Sequence, residues 1–138
     1  MEVLLFCSRM FSEEHYSILI VKDASRILFC KKWMLIGYFA DIIGEKKLVE
    51  ANTILCKQLL LEKNYFTAAS IIEAMGKLEI PDNTIYIKDW LSENEKAVLE
   101  TKNYFVLKHI RISLSKLNDT ERQRFDEKYL QYLGDFIM

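Results

Sequence analysis

A chain of 138 residues with 51 % apolar and 28 % charged residues has the composition of one globular domain rather than of a disordered chain. Its 19 basic and 20 acidic residues leave a formal charge of −1, so the basic excess of a dedicated nucleic-acid binder is absent. Four glycines and one proline favour long helices over a sandwich of short strands.

Glu2 to Met10 reads as a short helix, and Ser12 followed by Glu13 and Glu14 as a second helix start, with acids near the positive end of the dipole. Asp23 caps a longer helix from Ala24 to about Ile43. It is apolar nearly all round (Ile27, Leu28, Met34, Leu35, Ile36, Phe39, Ile42, Ile43) and is therefore expected to be central and buried. Gly44 is expected to end it as the residue after the cap. Glu45 to about Lys63 forms the next helix, with Leu48, Val49, Ala51, Leu55 and Leu59 inward. Asn64 caps a helix from Tyr65 to Met75 that ends at Gly76, and its Ala68 and Ala69 allow a neighbouring helix to come close.

Pro81-Asp82-Asn83 is a turn signal, and the β-branched and aromatic run Thr84-Ile85-Tyr86-Ile87 predicts one short extended piece. Ser92 with Glu95 three residues on predicts a capped helix start. Asn103 to Leu117 is the clearest amphipathic helix. Leu107, Ile110, Leu114 and Leu117 make one stripe, and Lys108, Arg111 and Ser115 face away. Thr120 and Gln123 form a second capping box, before a helix carrying Phe125, Tyr129, Tyr132, Leu133 and Phe136 on one side. The expectation is an all-α single domain over residues 1–138: a compact bundle of about six to seven helices with one short extended segment.

Chemistry-bearing motifs are sparse. His15 and His109 each stand alone, without a second ligand at helical spacing. Cys7, Cys30 and Cys56 are odd in number and far apart, which fits three small buried hydrophobes rather than a disulfide framework or a zinc knuckle. Gly37, Gly44, Gly76 and Gly134 are isolated, so there is no phosphate-cradling loop, and no Gly-x-Ser-x-Gly elbow occurs. Glu13–Glu14 and Glu93–Glu95 read as charges at helix starts rather than as an acid–base pair. The aromatics do not interleave with basic residues in the manner of a base-stacking surface. No metal, no cofactor and no self-contained catalytic site is expected.

The most apolar stretch, Ile27 to Ile43, is broken by Lys31, Lys32 and Asp41 and falls short of the roughly 20 residues a membrane span needs. Met1 to Cys7 has neither a basic n-region nor a small-residue cleavage site. The expected localisation is cytoplasmic, or the host cytosol for a secreted effector. An empty motif search directs function to a surface. The expectation is a protein partner, with no nucleic acid and no membrane span; the apolar composition also suits a homodimer.

Three blocks carry a resemblance. The first is Lys63-Asn64-Tyr65-Phe66 followed by Ala68 to Met75. The second is Lys88-Asp89-Trp90-Leu91-Ser92 with Glu93 to Leu99, then Lys102-Asn103-Tyr104 ahead of Arg111. The third is Tyr129-Leu130-Gln131-Tyr132-Leu133-Gly134-Asp135-Phe136. In this order and nearly this spacing, and with Trp33 about thirty residues before the Asn-Tyr turn, they resemble part of the catalytic domain of Ras guanine-nucleotide exchange factors, from about Ile27 onward. The resemblance implies a helical domain that contacts a small GTPase. Such proteins speed nucleotide release by favouring an open state of the partner, so they need a surface rather than a nucleophile.

The resemblance further implies that the helix from Asn64 packs between those from Ala24 and Asn103. It loosely places partner-binding residues at Leu28, Tyr86 and Lys88. The sequence departs from the family at these points: Leu28 or Phe29 stands where the family has an asparagine, and the Arg-Leu pair before the second tryptophan and the proline before Leu-Gly are missing. Neither the family's N-terminal helical portion nor the helical hairpin beyond Leu-Gly has a counterpart, so exchange activity itself is not expected. The alternative is an unrelated small helical module or effector that takes a partner helix in an apolar groove.

Overall fold

The computed structural model describes residues 33–134. Among them, six α-helices and two short 3-10 turns succeed one another without a strand. The helices are α1 (Trp33–Glu45), α2 (Asn52–Leu61), α3 (Tyr65–Lys77), α4 (Asn83–Glu100), α5 (Tyr104–Leu117) and α6 (Asp119–Tyr129), with the 3-10 turns at Val49–Ala51 and Leu130–Tyr132. The all-helical expectation is met. The expected elements before Trp33, together with Leu28, His15, Cys7, Cys30 and Phe136, lie outside the described residues.

The central element is α3. It packs against α1 on one side and α5 on the other. Its start is set by Asn64, whose side chain accepts the Thr67 backbone N–H at 3.1 Å, as the sequence predicts. Glu62 fixes the preceding turn by accepting the Asn64 N–H at 3.0 Å. Thr67, Ala68, Ala69, Ile71, Ile72, Ala74, Met75 and Gly76 of α3 are all buried. Small residues on both faces make this possible. A Cβ on Gly76 would lie 2.8 Å from the Ser113 Cα of α5, and a Cβ on Gly44 of α1 would lie 2.9 Å from the Ala74 Cα. Ser113, itself fully buried, donates its hydroxyl to the Ile72 carbonyl at 2.7 Å across the α3–α5 contact.

Several boundaries differ from the sequence reading. The helix expected to be buried all round, α1, buries Ile36, Phe39, Ala40 and Ile43 and exposes Tyr38 and Asp41, so the innermost position belongs to α3. Gly44 remains helical, because its value is the close contact with Ala74; Lys47, with φ 52°, takes the left-handed position instead. Val49 is exposed, although Leu48, Ala51, Leu55 and Leu59 point inward as expected. The α3 helix runs through Gly76 to Lys77, and Glu79 takes the left-handed turn with φ 57°.

The largest difference is at α4. The stretch Thr84 to Ile87, expected to be extended, is helical, and α4 runs unbroken from Asn83 to Glu100. Local β-propensity is outweighed because the helix places Asn83, Thr84, Ile87, Trp90, Leu91 and Val98 in the interior. Ser92 and Glu95 therefore sit inside α4 rather than at its start. The last helix is also capped elsewhere: Asn118 accepts the Glu121 N–H at 3.2 Å, two residues before the expected Thr120. In α5 the predicted stripe holds, with Leu107, Ile110 and Leu114 buried and Leu117 half-buried.

Candidate functional site

The residues expected to meet a partner sit on α4. Tyr86 is exposed on its outer surface beside the exposed Ile85. Lys88 reaches across to α6, where its Nζ lies 3.0 Å from Glu121 Oε2. Tyr86 and Lys88 thus share one helix, while Leu28 lies outside the described residues.

Lys88 also stands at the rim of a cleft of about 270 Å³ between α4, α5 and α6. Its floor is apolar, formed by Ile87 and Leu91 of α4, Ile110 and Leu114 of α5, and Phe125 and Tyr129 of α6. Two ion pairs cross its mouth. One is Lys88–Glu121. The other is Lys128–Glu95, at 3.0 Å. The hydrogen bond from Lys88 holds the Glu121 carboxyl below its usual range, and the bond to Glu95 raises the Lys128 ammonium. On the α5 side of α6, Arg111 donates to both carboxylate oxygens of Asp126, at 2.8 and 3.1 Å. That bidentate geometry is stronger than a single ion contact.

Sequence reasoning missed this cleft. Reading Thr84 to Ile87 as extended hid the fact that Lys88 and Glu95, seven residues apart, lie on one helix face. The available signal was the spacing Ile87, Leu91, Asn94, Val98, which is helical once the segment is joined to Lys88 and the residues beyond it.

Other candidates resolve as structure. His109 Nδ1 donates to the Phe105 carbonyl at 2.9 Å, and its Nε2 lies 3.5 Å from Glu73 on α3. It does not line the cleft. Lys77 and Lys116, in the last turns of α3 and α5, border a second hollow with Lys47, Glu45 and Glu79; cations there complement the negative helix ends. Among the described residues no group of three His, Cys, Asp or Glu side chains could hold a metal ion, and no helix is long and apolar enough to cross a membrane. Glu93 and Glu95 lie in mid-helix rather than at a helix start, and Glu95 is committed to Lys128.

Cys56 is buried, and burial pushes its thiol up to about 11. At pH 8 about one molecule in a thousand carries the thiolate, the reactive form. Under native conditions the Cys56 peptide is therefore expected to stay unmodified by Ellman's reagent, and to react at once in denaturant, as read by mass spectrometry. Native labelling at the rate of an unfolded thiol would contradict this placement.

No family model matches the sequence, no curated protein matches it, and no solved structure matches the fold.

Proposed function

We propose that this chain is a protein-interaction domain resembling a reduced Ras-type exchange factor, and that it contacts a small GTPase through α4. The observation that supports this reading is the position of α3. The resemblance requires the helix after Asn64 to pack between the one expected from Ala24, described from Trp33 on, and the one from Asn103. In this fold α3 packs between α1 and α5, at distances that only Gly44, Gly76 and Ser113 permit. The contact residues are Tyr86, an exposed aromatic of the kind that anchors interfaces, and Lys88, on the other side of the buried Ile87 and turned toward α6. Leu28 is a third contact on the resemblance alone.

The reading is one of binding. The test is a pull-down of Ras-like GTPases, nucleotide-free and loaded, by the purified chain, with nucleotide release monitored in parallel. A complex with at least one GTPase, weakened by Tyr86→Ala, is the expected result. No complex with any member of the panel would sink the proposal.

A second reading is favoured by the cleft. An apolar floor between three helices, rimmed by charge, suits the apolar side chains of a partner helix. On this reading the chain is an unrelated helical module or effector. Binding that survives Tyr86→Ala but is lost on Leu91→Arg, in a variant whose helical signal and melting temperature are retained, would select it.

A further inference from the structure

We propose that the Lys88–Glu121 ion pair is a latch for the first half of α6, and that releasing it lifts residues 119–124 away and opens that end of the cleft. The opening itself concerns the protein alone; its coupling to a partner through Lys88 rests on the reading above.

The two halves of α6 are held in different ways. The second half is anchored by apolar side chains: Phe125 and Tyr129 are buried, their rings tilted against each other at 4.8 Å. Beyond them Leu133 is fully buried and Tyr132 packs on Tyr104 at 5.3 Å. None of the residues from Asp119 to Arg124 is buried. Asn118, just before them, is extended, with φ −162° and ψ 100°. Within this half, Arg122 pairs with Asp119 and Asp126, and Arg124 with Glu121, all on α6 itself. Among the described residues, the ion pair made directly from this half to another helix is Lys88–Glu121, with the Glu121 side chain only 16 % exposed; Arg122 reaches α5 only through Asp126, which it shares with Arg111.

The helices α4 and α6 each pack on α5, and the space between them is the cleft. A segment without buried side chains opens locally more readily than the core around it. The latch also carries a functional link. Lys88 is one of the residues assigned to the partner, so a carboxylate on any partner that draws Lys88 away would free Glu121 and widen the cleft.

The test is hydrogen exchange on the intact chain and on Lys88→Glu and Lys88→Arg variants. In Lys88→Glu the amides of residues 122–124 are expected to exchange about fivefold faster, the effect of losing one partly exposed pair. Those of residues 129 and 130, bonded to carbonyls of the anchored half, and of α3 should be unchanged. Lys88→Arg should behave as the native chain.

Raising NaCl from about 0.1 to about 1 M shortens electrostatic screening from about 10 to about 3 Å. That should speed exchange at 122–124 in the native chain and slow it in Lys88→Glu, where the added contact is repulsive. Unchanged exchange at 122–124 in Lys88→Glu, or equal acceleration of 122–124, 129–130 and α3, would overturn the latch.

Discussion

Asn83→Ala is expected to destabilise the fold by about 3 kcal/mol, lowering Tm by roughly 10 °C. The Asn83 side chain is fully buried and joins three helices. Its amide exchanges two hydrogen bonds with Asn52 of α2, at 2.8 and 2.9 Å. It also donates to the Met75 carbonyl at the end of α3, at 3.0 Å. The donor that would continue the helical pattern at that carbonyl, the Glu79 N–H, goes to Gly76 instead. The Cys56 thiol completes the set at 3.6 Å from Asn83 Oδ1.

Truncation leaves the Met75 carbonyl and the Asn52 amide without partners in or near the interior, and each such group costs about 1–3 kcal/mol. Asn52 is half-buried and can turn to water, so Asn52→Ala should cost less. The double variant should cost less than the sum, because both changes remove the same pair. Chemical denaturation of the four proteins measures this. A change below about 0.5 kcal/mol for Asn83→Ala, as at an ordinary surface site, would show that the amide network does not hold the helices together.

The second large effect is a contrast between two glycines. In a helix interior, glycine to alanine is normally favourable by about 1 kcal/mol. At Gly37 the nearest atom a new Cβ would meet is Ser70 Oγ, at 3.7 Å, an ordinary contact. Gly37→Ala should therefore stabilise by about 0.5–1 kcal/mol. At Gly76 the new Cβ would meet the Ser113 Oγ at 2.5 Å and, more seriously, the Ser113 Cα at 2.8 Å. A hydroxyl can rotate away, but a Cα moves only with its helix. Gly76→Ala should thus force α3 and α5 apart and cost about 2 kcal/mol net, overpacking outweighing propensity. Thermal melts of the two variants are expected to shift in opposite directions. Shifts of the same sign would mean that the α3–α5 approach is looser than the structure has it.

These features show where sequence was informative. The start of α3 was legible because Asn64 acts within three residues of itself. The α5 stripe was legible because its period is local. The small residues of α3 announced a close neighbour, though not that there would be one on each face. The fold of α4 was not legible. Thr84 to Ile87 has strand-like chemistry, and only the burial of Ile87 and Trp90, together with the Asn83 network, makes the helix the better state. The cleft was hidden for the same reason. Its floor comes from three helices, and its ion pairs join residues about thirty apart in sequence, where no periodicity links them. Tyr86 and Lys88 came to attention through resemblance. The structure adds that Tyr86 is exposed and that Lys88 is held by Glu121 at the mouth of the cleft.

The most direct measurement is a calorimetric titration of the purified chain into a panel of nucleotide-free Ras-like GTPases, repeated with Tyr86→Ala. An exposed aromatic at the centre of an interface is worth about tenfold in affinity or more when truncated. Saturable one-to-one binding to at least one GTPase, weakened about tenfold by Tyr86→Ala while the melting temperature is unchanged, is the result expected of an interaction domain that docks through α4. No heat of binding to any GTPase in the panel would contradict it.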